Sequence, residues 1–177
     1  MIELQLAAAK RIIITDDDFE PPSAIEEQHC RAPPALDLLL NFPYSFGSVF
    51  ADKLYQQGGV EELNKAYLRA PQSSEQILYP AKYISGHADL KLRELEQARS
   101  KMPGTLVFSD RLGEYFIRTL FKQWLPRSTA ILAAKGWGND LIELRRLNEK
   151  QMILSWASVW DSEDDAVQFS MSLIAYL

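Results

Sequence analysis

The sequence predicts an α+β fold: a mainly helical body with a small antiparallel sheet, or hairpin, near the C-terminus. Three observations carry this. Apolar residues recur at helical spacing through most of the region after Ala35. Two β-textured runs, Asp140–Leu147 and Met152–Trp160, flank the turn-forming Asn148-Glu149-Lys150. A hydrophobic content of 47% with 8 Phe, 7 Tyr and 4 Trp is enough for one real core in 177 residues.

The elements follow in order. Residues 1–14 are apolar and then β-branched, a short helix or a strand. Asp16-Asp17-Asp18, Pro21-Pro22 and Pro33-Pro34 then mark an irregular stretch, so residues 1–32 are expected to be a leader or linker lying on a single domain of residues 33–177. A dense apolar knot around Phe42-Pro43-Tyr44 precedes a helix running to about Gln57, in which Phe46, Val49, Phe50, Lys53 and Leu54 share helical spacing and Gly58-Gly59 is the stop. Val60–Arg69 makes a second helix, closed by Pro71. Ser73 and Ser74 are N-cap candidates for a helical turn ended by Pro80. Residues 85–104 are polar and charged, and Thr105–Phe108 has the texture of a short strand. Ser109 or Asp110 is expected to cap a helix to about Trp124, and Pro126 to begin another through Ala134, with Gly136 and Gly138 as terminators. Asp161 or Ser162 caps a final helix that buries Ala166, Phe169, Met171, Leu173 and Ile174.

Composition narrows function. The net charge is −5, the densest basic cluster is Arg145-Arg146 with Lys150, and acidic residues interrupt the others, which argues against nucleic acid. No apolar run reaches the ~20 residues that span a bilayer, and Glu3 within the opening stretch does not suit a signal peptide, so no membrane is expected and the chain as it stands is expected in the cytoplasm. Cys30 is the only cysteine; beside His29 it suggests a thiolate nucleophile, although neighbours in an extended segment point apart. The two histidines, His29 and His87, lack zinc-ligand spacing, and Glu26-x-x-His29 has no second such pair. His87 with Asp89 has no accompanying G-x-S-x-G elbow, and no phosphate-binding glycine motif occurs. No catalytic residue, metal or cofactor is therefore assigned.

Several phrases stand out in a fixed order. They are Pro33-Pro34, Phe42-Pro43-Tyr44-x-x-Gly47, Gly58-Gly59, Pro71-x-Ser73-Ser74-Glu75-Gln76-Ile77-Leu78-x-Pro80-x-Lys82-Tyr83, Leu112-Gly113-Glu114, Gly136-Trp137-Gly138-x-Asp140, and Trp160-Asp161 with Asp164-Asp165-Ala166 and Phe169. This series resembles the C-terminal half of a bacterial zinc-metallopeptidase-like family of the gluzincin type, over roughly residues 33–170. The resemblance implies part of a zincin-like fold. It does not extend to the metal site, because the chain contains no H-E-x-x-H, and Tyr79 stands where the family has a histidine, removing a polar contact.

The resemblance implies a groove to which Phe42, Tyr44, Gln76, Tyr79, Lys82, Tyr83, Glu114, Trp137 and Asp140 contribute. Each also has a structural reading: a packed corner, a cap, a rigid aromatic on a turn, or a carboxylate favoured by a helix dipole. The leading expectation is a non-catalytic, truncated or degenerate metallopeptidase-like domain that binds protein or peptide and self-associates as a homodimer. One alternative is the accessory half of a split zinc metallopeptidase, its H-E-x-x-H helix on a separate catalytic subunit. Another is an independent hydrolase using His87 or Cys30.

Overall fold

The computed structural model describes residues 10–15, 33–87, 99 and 102–176. The readings placed on Glu3, residues 16–32 (Cys30 and His29 among them) and Asp89 lie outside these residues. The architecture is α+β. In chain order the elements are β1 (Lys10–Thr15), α1 (Pro34–Leu68), α2 (Ser74–Leu78), α3 (Pro80–Ile84), β2 (Thr105–Asp110), α4 (Gly113–Phe121), α5 (Arg127–Ala134), β3 (Trp137–Arg146), β4 (Gln151–Trp160) and α6 (Glu163–Tyr176). The strands form an antiparallel sheet in the order β1-β4-β3-β2. Its centre is the β3–β4 hairpin, with Glu143 opposite Ser155 and Trp137 opposite Trp160. No described helix is long and apolar enough to cross a membrane.

The first helix departs from expectation. It begins at Pro34, so Phe42-Pro43-Tyr44 lies within the helix and not at a corner before it. Proline at the first helical position gives up no bond that the helix would have made. Pro43 forgoes a single i→i−4 bond, and the Phe42 and Phe46 rings hold the helix on both sides of it by stacking on Tyr115, at 4.2 and 5.2 Å between centroids. Gly58-Gly59 interrupts the helix as expected: Gly58 (φ −158°, ψ 23°) and Gly59 (φ 63°, ψ −148°) are both non-helical, and a second helical stretch follows towards Leu68.

Capping also differs from the local reading. Ser73 and Ser74 make no cap bond to their own helix, and α4 is not capped by Ser109 or Asp110, because β2 runs on through Asp110. Gly136 ends α5 at φ 75°, but Gly138 is the irregular point inside β3, which starts at Trp137, three residues earlier than its alternation suggests. The last cap holds as expected. Ser162 Oγ accepts the Asp165 N–H at 3.2 Å and donates back to the Asp165 carboxylate.

Two apolar clusters result. The larger joins Ile117 and Phe121 of α4, the alanine face of α5, Trp137, Trp160 and Phe169 of α6. Phe169 lies 4.7 Å from the Trp160 ring and edge-on to Trp156 at 5.4 Å. The smaller comprises Phe50 and Leu54 of α1 and Tyr83 of α3.

Candidate functional site

Four of the phrases singled out in the sequence, at residues 71–83, 112–114, 136–140 and 160–161, converge on one polar network where α2 and α3 meet the N-terminus of α4 and the hairpin. Its centre is Asp140, fully buried on β3. Its carboxylate accepts the backbone N–H groups of Leu112 and Gly113 at 3.1–3.2 Å, the Trp137 indole N–H at 3.2 Å and the Trp156 indole N–H at 2.8 Å. The two backbone donors belong to the first turn of α4, which would otherwise leave them unpaired. Ser74 Oγ accepts a third from the same turn, the Tyr115 N–H, at 3.1 Å. Helix α4 is thus capped from α2 and β3, not from its own flank. Gly113 is required here: its φ is +79°, and a Cβ would lie 2.8 Å from Ser74 Oγ. Burial pushes the Asp140 carboxyl up, and the four N–H donors oppose that push.

One turn along, the equally buried Glu114 takes the Arg118 Nε at 3.0 Å and the Arg118 Nη2 at 2.5 Å on its Oε1. Tyr79 donates its hydroxyl to the same oxygen at 3.1 Å, and Arg118 Nη2 donates to the Tyr79 oxygen. Tyr79 therefore does not remove a polar contact, as its place in the sequence suggested; its ring carries a hydroxyl into the same network. Glu114 Oε2 is buried without a hydrogen-bond partner among the described residues. Burial raises the Glu114 carboxyl, against the pull of Arg118 and Tyr79. Burial also pushes the Tyr79 phenol up to about 12, with the Glu114 charge adding to it.

Glu75, on α2 and 1% exposed, forms a 2.6 Å ion pair with Lys82 of α3, whose ammonium also contacts Asp161 at 3.1 Å. Burial pushes the Glu75 carboxyl up to about 7, opposed by Lys82 and reinforced by Glu114. Burial pulls the Lys82 ammonium down, but its bonds to Glu75 and Asp161 outweigh this and leave it raised.

Five of the nine residues expected in a groove, Tyr79, Lys82, Glu114, Trp137 and Asp140, are therefore brought together, though mostly in the interior. The others lie elsewhere. Gln76 ties two loops, accepting the Gln72 N–H and donating to the His87 carbonyl, each at 2.8 Å. Tyr83 donates its hydroxyl to the Arg69 carbonyl and packs on Phe50. Phe42 belongs to the α1–α4 seam, and Tyr44 is 79% exposed. His87 itself is exposed.

Glu75, Arg118, Trp156 and Asp161 were not singled out as site residues in the sequence. Only the Glu114–Arg118 spacing of four residues on a helix was there to be found. Lys82 and Asp161 are 79 residues apart, and Pro80 breaks the helical path between Glu75 and Lys82.

Chemically, these carboxylates are committed. Glu75, Glu114 and Asp140 are each within 1% of full burial, and their paired oxygens meet the protein's own cations and N–H groups, Glu114 Oε2 being buried without a partner among the described residues. Among the described residues no group of three or more His, Cys, Asp or Glu side chains is placed to hold a metal ion. A cavity of about 260 Å³ beside the network is lined by Ser73, Ser74, Arg111 and Trp137, with Arg111 over the Trp137 ring.

Residues 102–177 match a family model described as a domain of unknown function, DUF8575. No curated protein and no solved structure matches the chain. The DUF8575 match covers β2 through α6 and includes Glu114, Arg118, Asp140 and Asp161; Glu75, Tyr79 and Lys82 reach into the network from before it.

Proposed function

We propose that this chain is a non-catalytic, metallopeptidase-like domain that binds a protein or peptide. The observation that carries the reading is the division of its side chains. The carboxylates that could do acid–base work are buried and paired internally, while apolar side chains of α1 stand in solvent. Leu36, Leu40 and Tyr44 recur every four residues along that helix, at 43%, 61% and 79% exposure. Rows of exposed apolar side chains of this kind suit contact with another polypeptide. The metallopeptidase-like part rests on the order of the sequence phrases.

The test pairs two measurements on the purified chain. Incubated with zinc and a fluorogenic peptide library, it is expected to give no turnover. Probed against an array of immobilised peptides, it is expected to bind a subset saturably. Chelator-sensitive peptide hydrolysis, or no saturable binding to any member of the array, would overturn the reading.

A further inference from the structure

A second cavity, of about 270 Å³, lies between α1, α4 and α5 and borders the buried network at Arg118. Its lining combines two chemistries. Leu38 and Phe46 from α1 and Ile131 from α5 form an apolar wall, while Arg118 and Lys122 from α4 and Arg127 from α5 supply three cations. No acidic residue lines it among those described. The Arg118–Glu114 pair is neutral as a unit, and Lys122 and Arg127 have no ion-pair or hydrogen-bond partner among the described residues. Among the described residues, the cavity therefore carries a positive charge without an acidic partner over an apolar floor.

Two details sharpen that charge. Arg118 is only 15% exposed, and Glu114 holds its Nε and Nη2, so the guanidinium plane is already set where it borders the cavity. Arg127 is the first residue of α5, where the helix dipole opposes a cation; a bound anion would relieve both the side chain and the helix end. Asn41 adds a neutral acceptor. Its Nδ2 donates to the Asp37 carbonyl at 2.7 Å, leaving its amide oxygen without a partner among the described residues. The volume is at the lower edge of the ~300–1,000 Å³ usual for ligand pockets. It suits the end of a chain better than a whole cofactor.

We propose that this cavity receives the free C-terminal carboxylate of a peptide whose last residue is apolar. Arg118, Lys122 and Arg127 take the carboxylate, the apolar wall takes the terminal side chain, and the Asn41 amide oxygen accepts a peptide N–H. The inference rests on the peptide-binding reading above and gives it a place and a specificity.

The experiment titrates the full chain, by fluorescence anisotropy, with labelled acetyl-Ala-Ala-Ala-Leu bearing a free carboxylate and with its C-terminal amide. The free acid is expected to bind at least tenfold more tightly, with affinity falling as salt rises through the Debye range. The Lys122→Ala, Arg127→Ala double variant, altered only at exposed positions, is expected to lose at least tenfold in affinity with an unchanged melting temperature. Equal binding of acid and amide, or no binding of the acid, overturns the assignment. If the acid fails while internal, doubly blocked peptides on the array bind, the cavity is wrong and the peptide-binding reading stands.

Discussion

The two ends of the domain are built on different terms. From β2 to α6, the sheet, three helices and an aromatic cluster centred on Phe169 enclose one another, and the largest fully buried side chain among the described residues, Trp137, sits among them. From α1 to α3 the buried apolar set shrinks to Phe50, Leu54 and Tyr83, and exposed apolar residues run along the outer side of α1. The long helix is fastened mainly by the rings of Phe42 and Phe46 on Tyr115 and by the Tyr115 hydroxyl on the Leu38 carbonyl. A helix stabilised by one seam and one small cluster keeps a face for something else. Burial is concentrated around the hairpin, and exposed apolar surface along the long helix.

The largest effect should separate the two clusters directly. Phe169→Ala is expected to destabilise by ~3–5 kcal/mol, and Phe50→Ala, at the rim of the smaller cluster, by less. Urea unfolding of both variants checks this; a greater loss from Phe50→Ala would reverse the ranking.

The network between the two regions comes next. Arg118→Ala strands Glu114 in the interior and is expected to lower stability by ~3 kcal/mol. Adding Glu114→Gln should recover part of the loss, because it is the orphaned charge that destabilises. No recovery in the double variant would mean that packing, not charge, is what Arg118 contributes.

Titration offers a third test. Glu75 is held near 7 in the folded protein, against an ordinary value of 4.5, and Glu114 and Asp140 are displaced in the same direction. The folded state then binds more protons than the unfolded state between these values. Stability is therefore highest below about pH 4.5 as far as this group is concerned and falls as pH rises through about 7, by on the order of 3 kcal/mol. Denaturation curves from pH 5 to 8 should show that decline, and Glu75→Gln should flatten it. A wild-type stability that rises across the same window would contradict the assignment.

The smallest expected effect is on the exposed helix face. Tyr44→Ser should change stability by less than ~0.5 kcal/mol while weakening capture by array peptides that lie along α1. A large drop in melting temperature would mean that Tyr44 is a packing residue after all.

How much of this was legible beforehand depends on how far each residue reaches. The hairpin and its Asn148-Glu149-Lys150 turn, the start of α5 after Pro126 and the Ser162 cap are all short-range features, and each lies where its local chemistry places it. The start of α1 departs from the local reading because proline punctuates helices in isolation, while neighbouring rings can carry a helix through it; the break at Gly58-Gly59 lies where the glycines place it. Glu114 and Asp140 were visible as candidates, but their burial was not, since a carboxylate early in a helix or strand looks the same whether solvated or enclosed.

The sequence by itself determined the α+β class, the order of most elements and the absence of an H-E-x-x-H segment from the chain. These follow from periodicity and from residue types alone. Only the tertiary structure decided what the charged residues do. Lys82 meets Asp161 across 79 residues, Ser74 and Asp140 cap a helix to which neither belongs, and Arg118 turns one nitrogen edge to Glu114 while bordering an open cavity. Such pairings are set by which elements pack together, because a buried charge is stable only beside a partner, and partners drawn from distant segments leave no spacing to read.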